Sequence, residues 1–566
     1  MGYILIDIKE QIKRKVREYL GLDEDVKIPI EIPSKERGDY ALPCFTFASV
    51  LKKSPAQIAK DIVEELEIDN GQLEQAGPYV NFRIDDEYLI KRTIISAIKD
   101  ERFGKLPDKD EKILVEHTSA NPNGPLHVGR ARNPIIGDTV ARIYEMAGYD
   151  VEKQYYVNDI GRHMAILAWG RMNLDEDNLS APGRNKIDYQ IVRYYQEASR
   201  LLEEDENLEN EIRDIIKQME KGEEEIFDLF KDSSKKVLEG ITQSLSRLNI
   251  DLDSYKNESE FIIDGSVNET IDMMERLEES DHEDGALYFE IDDNKTFITR
   301  KDGTNLYPAR DIAYHIWKSK HSDNLVNILG EDHKLHGEFL IEALSALNIS
   351  PIPEMIFYSF VTFEGKEMST RKGCYVTLDE FMDTAHEKAR EEILKRRDDL
   401  DDETVESIAE KVGLGAVRYN IIKVQPGKPI DFRWEEALDF HGNSAPFIQY
   451  THARASSILR KWDGEEQEML DLMDRGVQLD EQGELALIKK IAEFSRVIKE
   501  AKENKSPHKI ANYAYQLSAE FNQFYRDYPV LKSKDKKNER IILVKAFKNV
   551  ISNVLYTLGI DAPEKM

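Results

Sequence analysis

The stretch "SANPNGPLHVGRARN", from Ser119 to Asn133, combines turn-forming residues with hydrogen-bond donors directly after the apolar run "KILVEH". The apolar run predicts a buried strand, and the Pro and Gly residues predict a sharp loop before a helix that begins near His127 or soon after. A helix start that follows a parallel strand offers free N–H groups and a positive dipole end, which suit phosphate. His127 and Arg130 are three residues apart, so on one helical turn they would face the same side and could stabilise a phosphoryl group under attack. Alone, His127 could equally well cap a turn.

A second stretch, "FEGKEMSTRKGCYVTLDE", from Phe363 to Glu380, places cations and hydroxyls in a loop bounded by glycines. Such a loop can close over a triphosphate, with Lys366, Ser369 and Lys372 among its ligands. By itself the loop would be ordinary basic surface. Because both stretches fall within one pattern of alternating strands and helices, together they predict a nucleoside triphosphate site.

The composition limits the class of protein. The chain has 566 residues, of which 40% are hydrophobic, and a formal net charge of -31. This charge argues against simple coating of nucleic acid, although local basic patches such as "LKSKDKKNER" remain. Cys44 and Cys374 cannot build a disulfide framework or a four-cysteine zinc site. Without a signal peptide or a membrane-length apolar run, the chain is predicted to be cytoplasmic and to have no membrane contact.

Three patterns follow one another along the chain. Residues 1–105 mix helical and strand periodicity, which predicts a small α+β unit. In residues 106–444 the strand-like runs "KILVEH", "VEKQYYV", "FITRKD" and "NLVNILG" are each followed by a helical pattern, which predicts parallel β-α-β units. An acidic helical insertion occupies about residues 171–247. Residues 445–566 show the apolar spacing of packed amphipathic helices.

Several motifs resemble a known family, in the family's own order. "PLHVGR" is similar to the HIGH signature of class I aminoacyl-tRNA synthetases, and "KEMSTRKG" is similar to their KMSKS loop. The runs "VEHTSANPNGPLHVG", "YYVNDIG", "GTNLYPARDIAYH", "GLGAVRYNII", "SAPFIQYTHARASSILRK" and "LGIDAPEKM" resemble the arginyl-tRNA synthetase family over nearly the whole chain. The resemblance implies an α/β fold: a Rossmann-like class I catalytic domain with helical insertions and a stem-contact region. A small α+β domain that contacts the tRNA elbow would precede it, and an all-α anticodon-binding bundle would follow it.

The same resemblance implies an activity. Members of the family activate L-arginine with ATP to arginyl-adenylate, release pyrophosphate, and transfer the arginyl group to the terminal adenosine of tRNA(Arg). It implies a monomer that takes ATP with Mg²⁺ and has no structural metal. Four residues are expected to be catalytic: His127, Arg130, Lys366 and Lys372. The ATP site is expected to comprise Gly124, His127, Gly129, Arg130, Met368, Ser369 and Lys372.

The candidate arginine site can be examined against its own chemistry. A guanidinium group needs planar acceptors, and carboxylates in fork geometry are the best of these. Tyr307 and Asp311 are four residues apart, and Pro308 suits the first position of a helix that would carry both into one cleft. By resemblance, Asn121 contacts the α-amino group and Glu258 supplies a second acid. Glu116 and His333 complete the expected set.

Four positions depart from the family pattern. Arg130 stands in place of the last His of the HIGH signature. Arginine keeps a hydrogen-bond donor and a positive charge, but unlike histidine it does not titrate. Glu367 occupies the first lysine position of the KMSKS-like loop, so Lys366 or Lys372 must supply the charge. His333 stands where many relatives are expected to carry Gln. Pro134 would kink or restart the helix after the HIGH stretch.

The C-terminal helices are expected to bind the anticodon arm. Aromatic side chains can stack on unpaired bases, and cations can meet phosphate. The stacking candidates are Phe447, Tyr450 and Tyr513, and the cationic candidates are Arg454, Arg460 and Lys461. Packing within the helical core is the alternative for the aromatic residues.

Two other functions remain open from the sequence. Another class I synthetase, for glutamate or cysteine, would need basic residues or zinc ligands in place of Asp311 and Glu258. A non-catalytic tRNA-binding relative would be expected to have lost His127 or the KMSKS-like loop, and this chain retains both.

Overall fold

A computed structural model of the chain describes residues 3–34, 37–205, 207–291, 294–363, 366–367 and 376–566. The first unit is a three-stranded antiparallel sheet with strand order β1-β3-β2, covered by helices. Ser54 begins one of these helices by accepting a hydrogen bond from the Gln57 N–H, and Pro55 follows at the first helical position. The elements are α1 (Ile4–Leu20), β1 (Tyr40–Pro43), α2 (Ala48–Leu51), α3 (Pro55–Glu65), β2 (Gly71–Ala76), β3 (Tyr79–Ile84) and α4 (Asp86–Lys99).

The second unit is built on a sheet of five parallel strands. In chain order, its first elements are β4 (Lys112–Glu116), α5 (Arg132–Met146), β5 (Asp150–Val157), α6 (Arg162–Asn173), α7 (Ile187–Glu204), α8 (Leu208–Glu220), α9 (Glu224–Arg247), β6 (Ser254–Asn257), α10 (Glu258–Ile263) and α11 (Ser266–Met274). Next come β7 (Ser280–Glu283), β8 (Ala286–Ile291), β9 (Asn294–Phe297), α12 (Tyr307–Ser319), β10 (Asn324–Gly330), α13 (Lys334–Ala346) and β11 (Glu354–Tyr358). The unit ends with β12 (Val361–Phe363), β13 (Lys366–Glu367), α14 (Leu378–Leu394), α15 (Asp402–Ile422), β14 (Ile430–Phe432) and α16 (Trp434–Ala437).

The strand order of the parallel sheet is β11-β10-β4-β5-β6, so the chain leaves β4 on one side and later returns on the other. Such a reversal opens a crevice beyond the carboxyl ends of the strands, which is where open α/β sheets bind ligands. The central strand β4 is buried along "ILVE", as a strand covered on both faces should be. The fold therefore directs attention to the residues that follow β4, β5, β6 and β10.

One strand predicted for the parallel sheet is not present. The run "FITRKD", residues 297–302, is expected to continue the parallel β-α-β pattern, and this expectation is wrong. Only its first residue, Phe297, belongs to a strand: β9 ends there and pairs antiparallel with β8 in a separate sheet of order β7-β8-β9. Strand formation depends on the pairing available in the fold as well as on the local pattern. The helices predicted within the acidic insertion are present as α7, α8 and α9.

The third unit is helical. Its elements are α17 (Ala445–Arg460), α18 (Glu466–Arg475), α19 (Gln482–Ala492), α20 (Phe494–Glu503), α21 (His508–Asp527) and α22 (Lys537–Thr557). Its last helix is almost wholly apolar on the side that packs inward, with Phe547 stacked on Phe521 at 3.9 Å between ring centroids. Helical packing of this kind is the predicted all-α arrangement.

Buried polar contacts hold the units together. The Arg418 guanidinium, on α15, is almost inaccessible to solvent and donates to Asp138 Oδ2 at 2.6 Å. It also donates to the carbonyls of Leu248 at 2.7 Å and Leu558 at 2.9 Å. One side chain thus joins α5, the end of the insertion and the end of α22. Among the described residues, no helix has the length and hydrophobicity needed to cross a bilayer.

Candidate active site

The loop after β4 leaves the sheet through an unusual backbone. Thr118 and Ser119 both have positive φ, at 71° and 39°, a conformation that residues other than glycine adopt infrequently. The Asn133 side chain holds the turn in place, since its Oδ1 accepts from the Thr118 N–H at 2.5 Å and its Nδ2 donates to the Ile328 carbonyl at 2.8 Å. The turn is therefore fixed to β10, the neighbouring strand across the crevice.

The helix predicted near His127 or soon after begins in two steps. Val128–Arg130 form one 3-10 turn, and the α-helix α5 begins at Arg132. Pro134 does not break α5, because a proline within the first helical turn removes an N–H that would have no helical partner. The fully buried Arg132 side chain donates to the Ser359 carbonyl at 2.6 Å and to the Gln425 carbonyl at 3.2 Å, which fixes this helix end to the segments around β12.

His127 precedes the 3-10 turn and caps it. Its Nδ1 accepts a hydrogen bond from the Gly129 N–H at 3.0 Å. Burial lowers the pKa of His127, and the nearby Arg130 cation lowers it further. The imidazole is therefore held neutral, with its Nε2 as the protonated nitrogen. Capping and a phosphate role are compatible, because each uses a different ring nitrogen.

A cavity of about 300 Å³ lies along this stretch, and we call it the loop cavity. Its walls come from the loop after β4 and from helices α7 and α9 of the insertion. A Cβ atom at Gly124 would lie 2.5 Å from the Val192 side chain, so this close approach requires glycine. The residues that line the loop cavity are Ala120, Asn121, Asn123, Gly124, Pro125, Leu126, His127, Arg130, Val192, Tyr195, Gln196 and Ile241.

The far end of the KMSKS-like stretch packs on the same loop. The Val128 N–H donates to the Val376 carbonyl at 3.1 Å, and the Leu378 N–H donates to the Leu126 carbonyl at 2.7 Å. The two stretches, far apart in sequence, are therefore joined backbone to backbone around His127. Of the residues predicted in this loop, Met368, Ser369 and Lys372 lie outside the described residues, and only the backbone of Lys366 is described, in β13.

The insertion also contacts this junction. Tyr189 Oη donates to Thr377 Oγ1 at 2.7 Å. Lys186 Nζ donates to Asp379 Oδ2 at 2.8 Å, and Ser244 Oγ donates to Asp379 Oδ1 at 2.9 Å. The sequence predicts the acidic insertion only as a helical segment, and these side chains attach it to the segment that pairs with the His127 loop.

A second cavity, of about 320 Å³, adjoins the first, and we call it the acid cavity. It lies at the carboxyl ends of β4, β5 and β10 and shares two lining residues, Asn121 and Arg130, with the loop cavity. All six residues predicted for arginine line it: Glu116, Asn121, Glu258, Tyr307, Asp311 and His333. Tyr307 and His333 are largely exposed at its mouth.

Each carboxylate of the acid cavity has a resident donor at both oxygens. Asp311 Oδ2 lies 2.5 Å from His336 Nε2. His315 Nδ1 donates to the Asp311 carbonyl oxygen at 2.8 Å and lies 3.1 Å from Asp311 Oδ1. Burial by itself would raise the pKa of Asp311, but the contacts with these two histidines bring it well below its ordinary value. The Asp311 carboxylate is therefore ionised.

Glu258 also has a donor at each of its carboxylate oxygens. Glu258 Oε1 accepts from Arg310 Nη1 at 2.9 Å, and Asn158, with its amide turned to donate, lies 2.8 Å from Glu258 Oε2. Burial raises the pKa of Glu258 to about 7, against the opposing effect of Arg310.

Glu116 meets a fully buried ammonium. Its Oε2 accepts from Lys318 Nζ at 2.7 Å, and its Oε1 accepts from Ser119 Oγ at 3.1 Å. Lys318 Nζ also donates to Asn327 Oδ1 at 2.7 Å. Of the three acids, Glu116 is thus the one most completely committed to an internal ion pair.

These resident donors were missed from the sequence. They are Arg310, His315 and Lys318 on α12, His336 on α13, Ser119 and Asn158. The spacing of Asp311 and His315 by four residues was a usable signal, since such residues face the same side of a helix. The contact with His336 had no comparable signal, because it joins two different helices.

The C-terminal candidates divide into two groups. Tyr450 is exposed, and the Arg454 guanidinium lies over its ring at 4.9 Å and over the Tyr525 ring at 5.8 Å. Phe447 is half-buried against Tyr515, while Arg460 and Lys461 lie at the exposed end of α17. Tyr513 was expected to stack on bases, and this is wrong: it is 3% exposed, stacks on Phe494 and donates to the Lys490 carbonyl.

Comparison with known proteins agrees with the family resemblance of the sequence motifs, and the matches extend along nearly the whole chain. Residues 7–84 match the model described as "Arginyl tRNA synthetase N terminal domain". Residues 93–434 match "tRNA synthetases class I (R), catalytic domain", and residues 448–566 match "DALR anticodon binding domain".

Similar whole proteins agree with the family models. The chain is 40% identical to the arginine–tRNA ligase of Methanothrix thermoacetophila, with 100% of both chains covered. It is 42% identical to that of Methanocella arvoryzae, with 92% of each covered. The solved structure of Thermus thermophilus arginyl-tRNA synthetase superposes with a TM-score of 0.84 at 26% identity, covering 100% of both chains. The chain belongs to the arginyl-tRNA synthetase family of class I aminoacyl-tRNA synthetases.

Proposed function

We propose that the acid cavity binds the arginine substrate and the loop cavity binds the phosphates of ATP, in an enzyme that joins arginine to tRNA. The observation that carries this proposal is the pair of adjoining cavities, which share Asn121 and Arg130. One cavity is lined by carboxylates and suits a cation, and the other is lined by glycine, imidazole and guanidinium and suits a polyphosphate. Their shared wall is where the arginine carboxylate would meet the α-phosphate.

Recognition of arginine follows from the geometry of the acids. Asp311 and Glu258 both line the acid cavity and are buried or half-buried, so their attraction for a guanidinium is weakly screened. Tyr307 and His333 at the mouth would cover the aliphatic part of the substrate. Asn121, at the border of the two cavities, is placed to receive the α-amino group. Glu116 acts through Lys318, as a buried ion pair that shapes the floor.

Activation needs no covalent nucleophile from the protein. The arginine carboxylate attacks the α-phosphorus of ATP, a P–O bond forms, and pyrophosphate leaves. Positioning and stabilisation of the negative charge on the phosphoryl oxygens supply the catalysis. We assign this stabilisation to His127, through its Nε2, and to Arg130, with Gly124 and Gly129 allowing close approach of the nucleotide.

The remaining ATP ligands are proposed from the motif. Lys366 and Lys372 would supply the cations of the KMSKS-like loop, and Met368 and Ser369 would contact the nucleotide. Magnesium is proposed to enter with ATP as part of the substrate. Among the described residues, no group of three acidic, His or Cys side chains is close enough to hold a metal ion.

The third unit is proposed to bind tRNA(Arg) through its anticodon arm, with Tyr450 and Arg454 as the central contacts. Phe447, Arg460 and Lys461 would extend this surface along α17. We also propose domain borders near residues 105 and 445. The first helix of the third unit, α17, begins at Ala445. We further propose a monomer that works in the cytoplasm, where translation consumes charged tRNA.

A charging assay tests the proposed function. Purified enzyme is given total tRNA, ATP and each of the amino acids separately, and acid-stable charging of tRNA is measured. We expect charging with arginine alone. Charging with glutamate or cysteine, or binding of tRNA without any charging, would overturn the proposal in favour of the two alternative functions.

A further inference from the structure

The Asp311 carboxylate is held between two histidines that differ in kind. His315 Nε2 lies 2.7 Å from Asn327 Nδ2 and 3.3 Å from Lys318 Nζ, both of which are donors. Its Nε2 must accept, so its proton lies on Nδ1, towards Asp311. No such constraint applies to His336, which reaches Asp311 Oδ2 with Nε2 at 2.5 Å.

His336 is also placed where the substrate must go. It lines the acid cavity together with Asp311, and its ring lies against those of Tyr307, at 5.0 Å, and Phe339, at 5.9 Å. A guanidinium binds a carboxylate best as a fork that uses both oxygens. His336 occupies one of these oxygens, so it competes with the arginine side chain for the same acceptor.

The charge of His336 makes this competition electrostatic. Burial by itself would lower the pKa of His336, but the hydrogen bond and charge of Asp311 raise it above its ordinary value. In the unliganded cavity, the imidazolium and the carboxylate therefore form an ion pair. An arginine cation beside that pair would meet a like charge and an acceptor already in use.

We propose that arginine displaces the protonated His336 side chain from Asp311, and that the proton leaves to solvent as the substrate binds. The proposal rests on the assignment of the acid cavity to arginine. The net charge of the site is unchanged by this exchange. The site gains the charge of the guanidinium and loses that of the imidazolium, while Asp311 stays ionised. His336 is then a specificity-determining residue, because only a ligand whose cation forms the stronger pair can replace the resident one.

Other charged groups around His336 could also exchange protons, and one of them must be distinguished. Glu258 is a second possible proton source, since its pKa is raised to about 7. Arg310 and Lys318 lie behind the cavity wall in ion pairs with Glu258 and Glu116. The charged or titratable side chains that line the cavity with His336 are Glu116, Arg130, Tyr156, Glu258, Tyr307, Asp311, His315 and His333.

The expected pH dependence has a definite sign. Below the pKa of His336 the imidazolium must be discharged before arginine binds, so affinity falls as pH falls. Release of one proton limits the change to about tenfold in Kd per pH unit. Above the pKa of His336 the affinity should become independent of this group. Arginine should therefore bind progressively more tightly from pH 6 towards pH 8.5.

Calorimetric titration of full-length enzyme with arginine, in buffers of different ionisation enthalpy, counts the protons released. At pH 6.5 wild type should release a substantial fraction of one proton. His336→Gln should bind arginine more tightly than wild type at pH 6 and lose most of this release. His336→Lys, which keeps a cation that does not titrate in this range, should bind arginine weakly at every pH tested.

His321→Gln is the matched control, because His321 is exposed outside the cavity. The hydrogen bond described for its ring is the one that Nδ1 donates to the Trp317 carbonyl. This variant should behave as wild type. Persistent proton release in His336→Gln would assign the proton to Glu258 and overturn the proposal. Uniformly weaker binding by His336→Gln at every pH would also overturn it, since His336 would then only orient Asp311. Failure of Asp311→Asn to weaken arginine binding would instead overturn the proposed arginine site.

Discussion

The acid cavity and the loop cavity differ in how their charges are held. In the acid cavity every carboxylate has donors from the protein, so the charges are fixed in position before a substrate arrives. In the described part of the chain, Arg130 is the only permanently charged residue that lines the loop cavity. Its side chain is exposed, and no described carboxylate lies within ion-pair distance of it. A prearranged set of partners favours selection among similar cations, whereas an uncommitted guanidinium can follow charge as it develops on phosphate.

The largest expected effect comes from Asp311→Asn, which removes one of the fixed charges. Loss of a charged partner in a pocket costs about 2–5 kcal/mol, or roughly 30- to 5000-fold in arginine affinity. The change should appear in the KM for arginine and in equilibrium binding, with little change in the KM for ATP. Asp281→Asn is the control, because Asp281 is exposed on β7 and lines neither cavity.

Substitution of Arg130 should act on rate instead. Arg130→Ala should lower kcat by roughly 10²–10³-fold, typical of removing one donor to a developing oxyanion. Arg130→His should retain substantial activity, because a donor remains at the position that matches the last His of the HIGH signature. Thermal unfolding should be unchanged in both variants. A lowered Tm with intact turnover per folded molecule would mean that Arg130 supports the fold only.

Substitutions of Tyr450, which is exposed on α17, and of Lys461, at the end of that helix, should affect the tRNA step alone. Tyr450→Ala should weaken tRNA binding by about 1–3 kcal/mol, the range for one stacked base, and should raise the KM for tRNA. Lys461→Ala should instead reduce the salt dependence of tRNA binding, as expected of a phosphate contact. Unchanged tRNA affinity in Tyr450→Ala would contradict the anticodon role of this surface. Removal of the whole third unit would be uninformative, because Arg418 ties α22 to the catalytic unit.

The smallest expected effect tests the attachment of the insertion to the loop cavity. Tyr189→Phe removes the hydrogen bond to Thr377, whose segment pairs with the His127 loop. A lost hydrogen bond of this kind is worth about 0.5–1.5 kcal/mol, so the charging rate should fall by roughly 2- to 10-fold at unchanged arginine affinity. Tyr255→Phe removes an equivalent bond to Thr242 away from both cavities and should leave the rate unchanged.

Sequence patterns predicted the parts of the site that are local in the chain. The strand before His127, the loop and the spacing of Tyr307 and Asp311 follow from turn formers and helical periodicity. The resident partners could not be predicted in this way. Lys318 reaches Glu116 across 202 positions of the chain, and only the packing of α12 against the sheet brings them together.

The errors have a similar physical origin. Helical periodicity places Tyr513 on an apolar face but cannot say whether solvent or another helix covers that face. The run "FITRKD" has the pattern of a strand, but of its residues only Phe297 belongs to one, and that strand pairs antiparallel with β8. Side-chain burial and strand partnership are set by tertiary packing, which the local pattern does not contain.

The division of roles between the two cavities is tested most directly by charging kinetics of Asp311→Asn and Arg130→Ala, measured together over a wide range of arginine concentrations with saturating ATP and tRNA. We predict that excess arginine restores most of the activity of Asp311→Asn, because its defect is in binding a cation. We predict that no arginine concentration restores Arg130→Ala, because its defect is in the transition state. Recovery of Arg130→Ala at high arginine, or failure of Asp311→Asn to recover, would contradict the division.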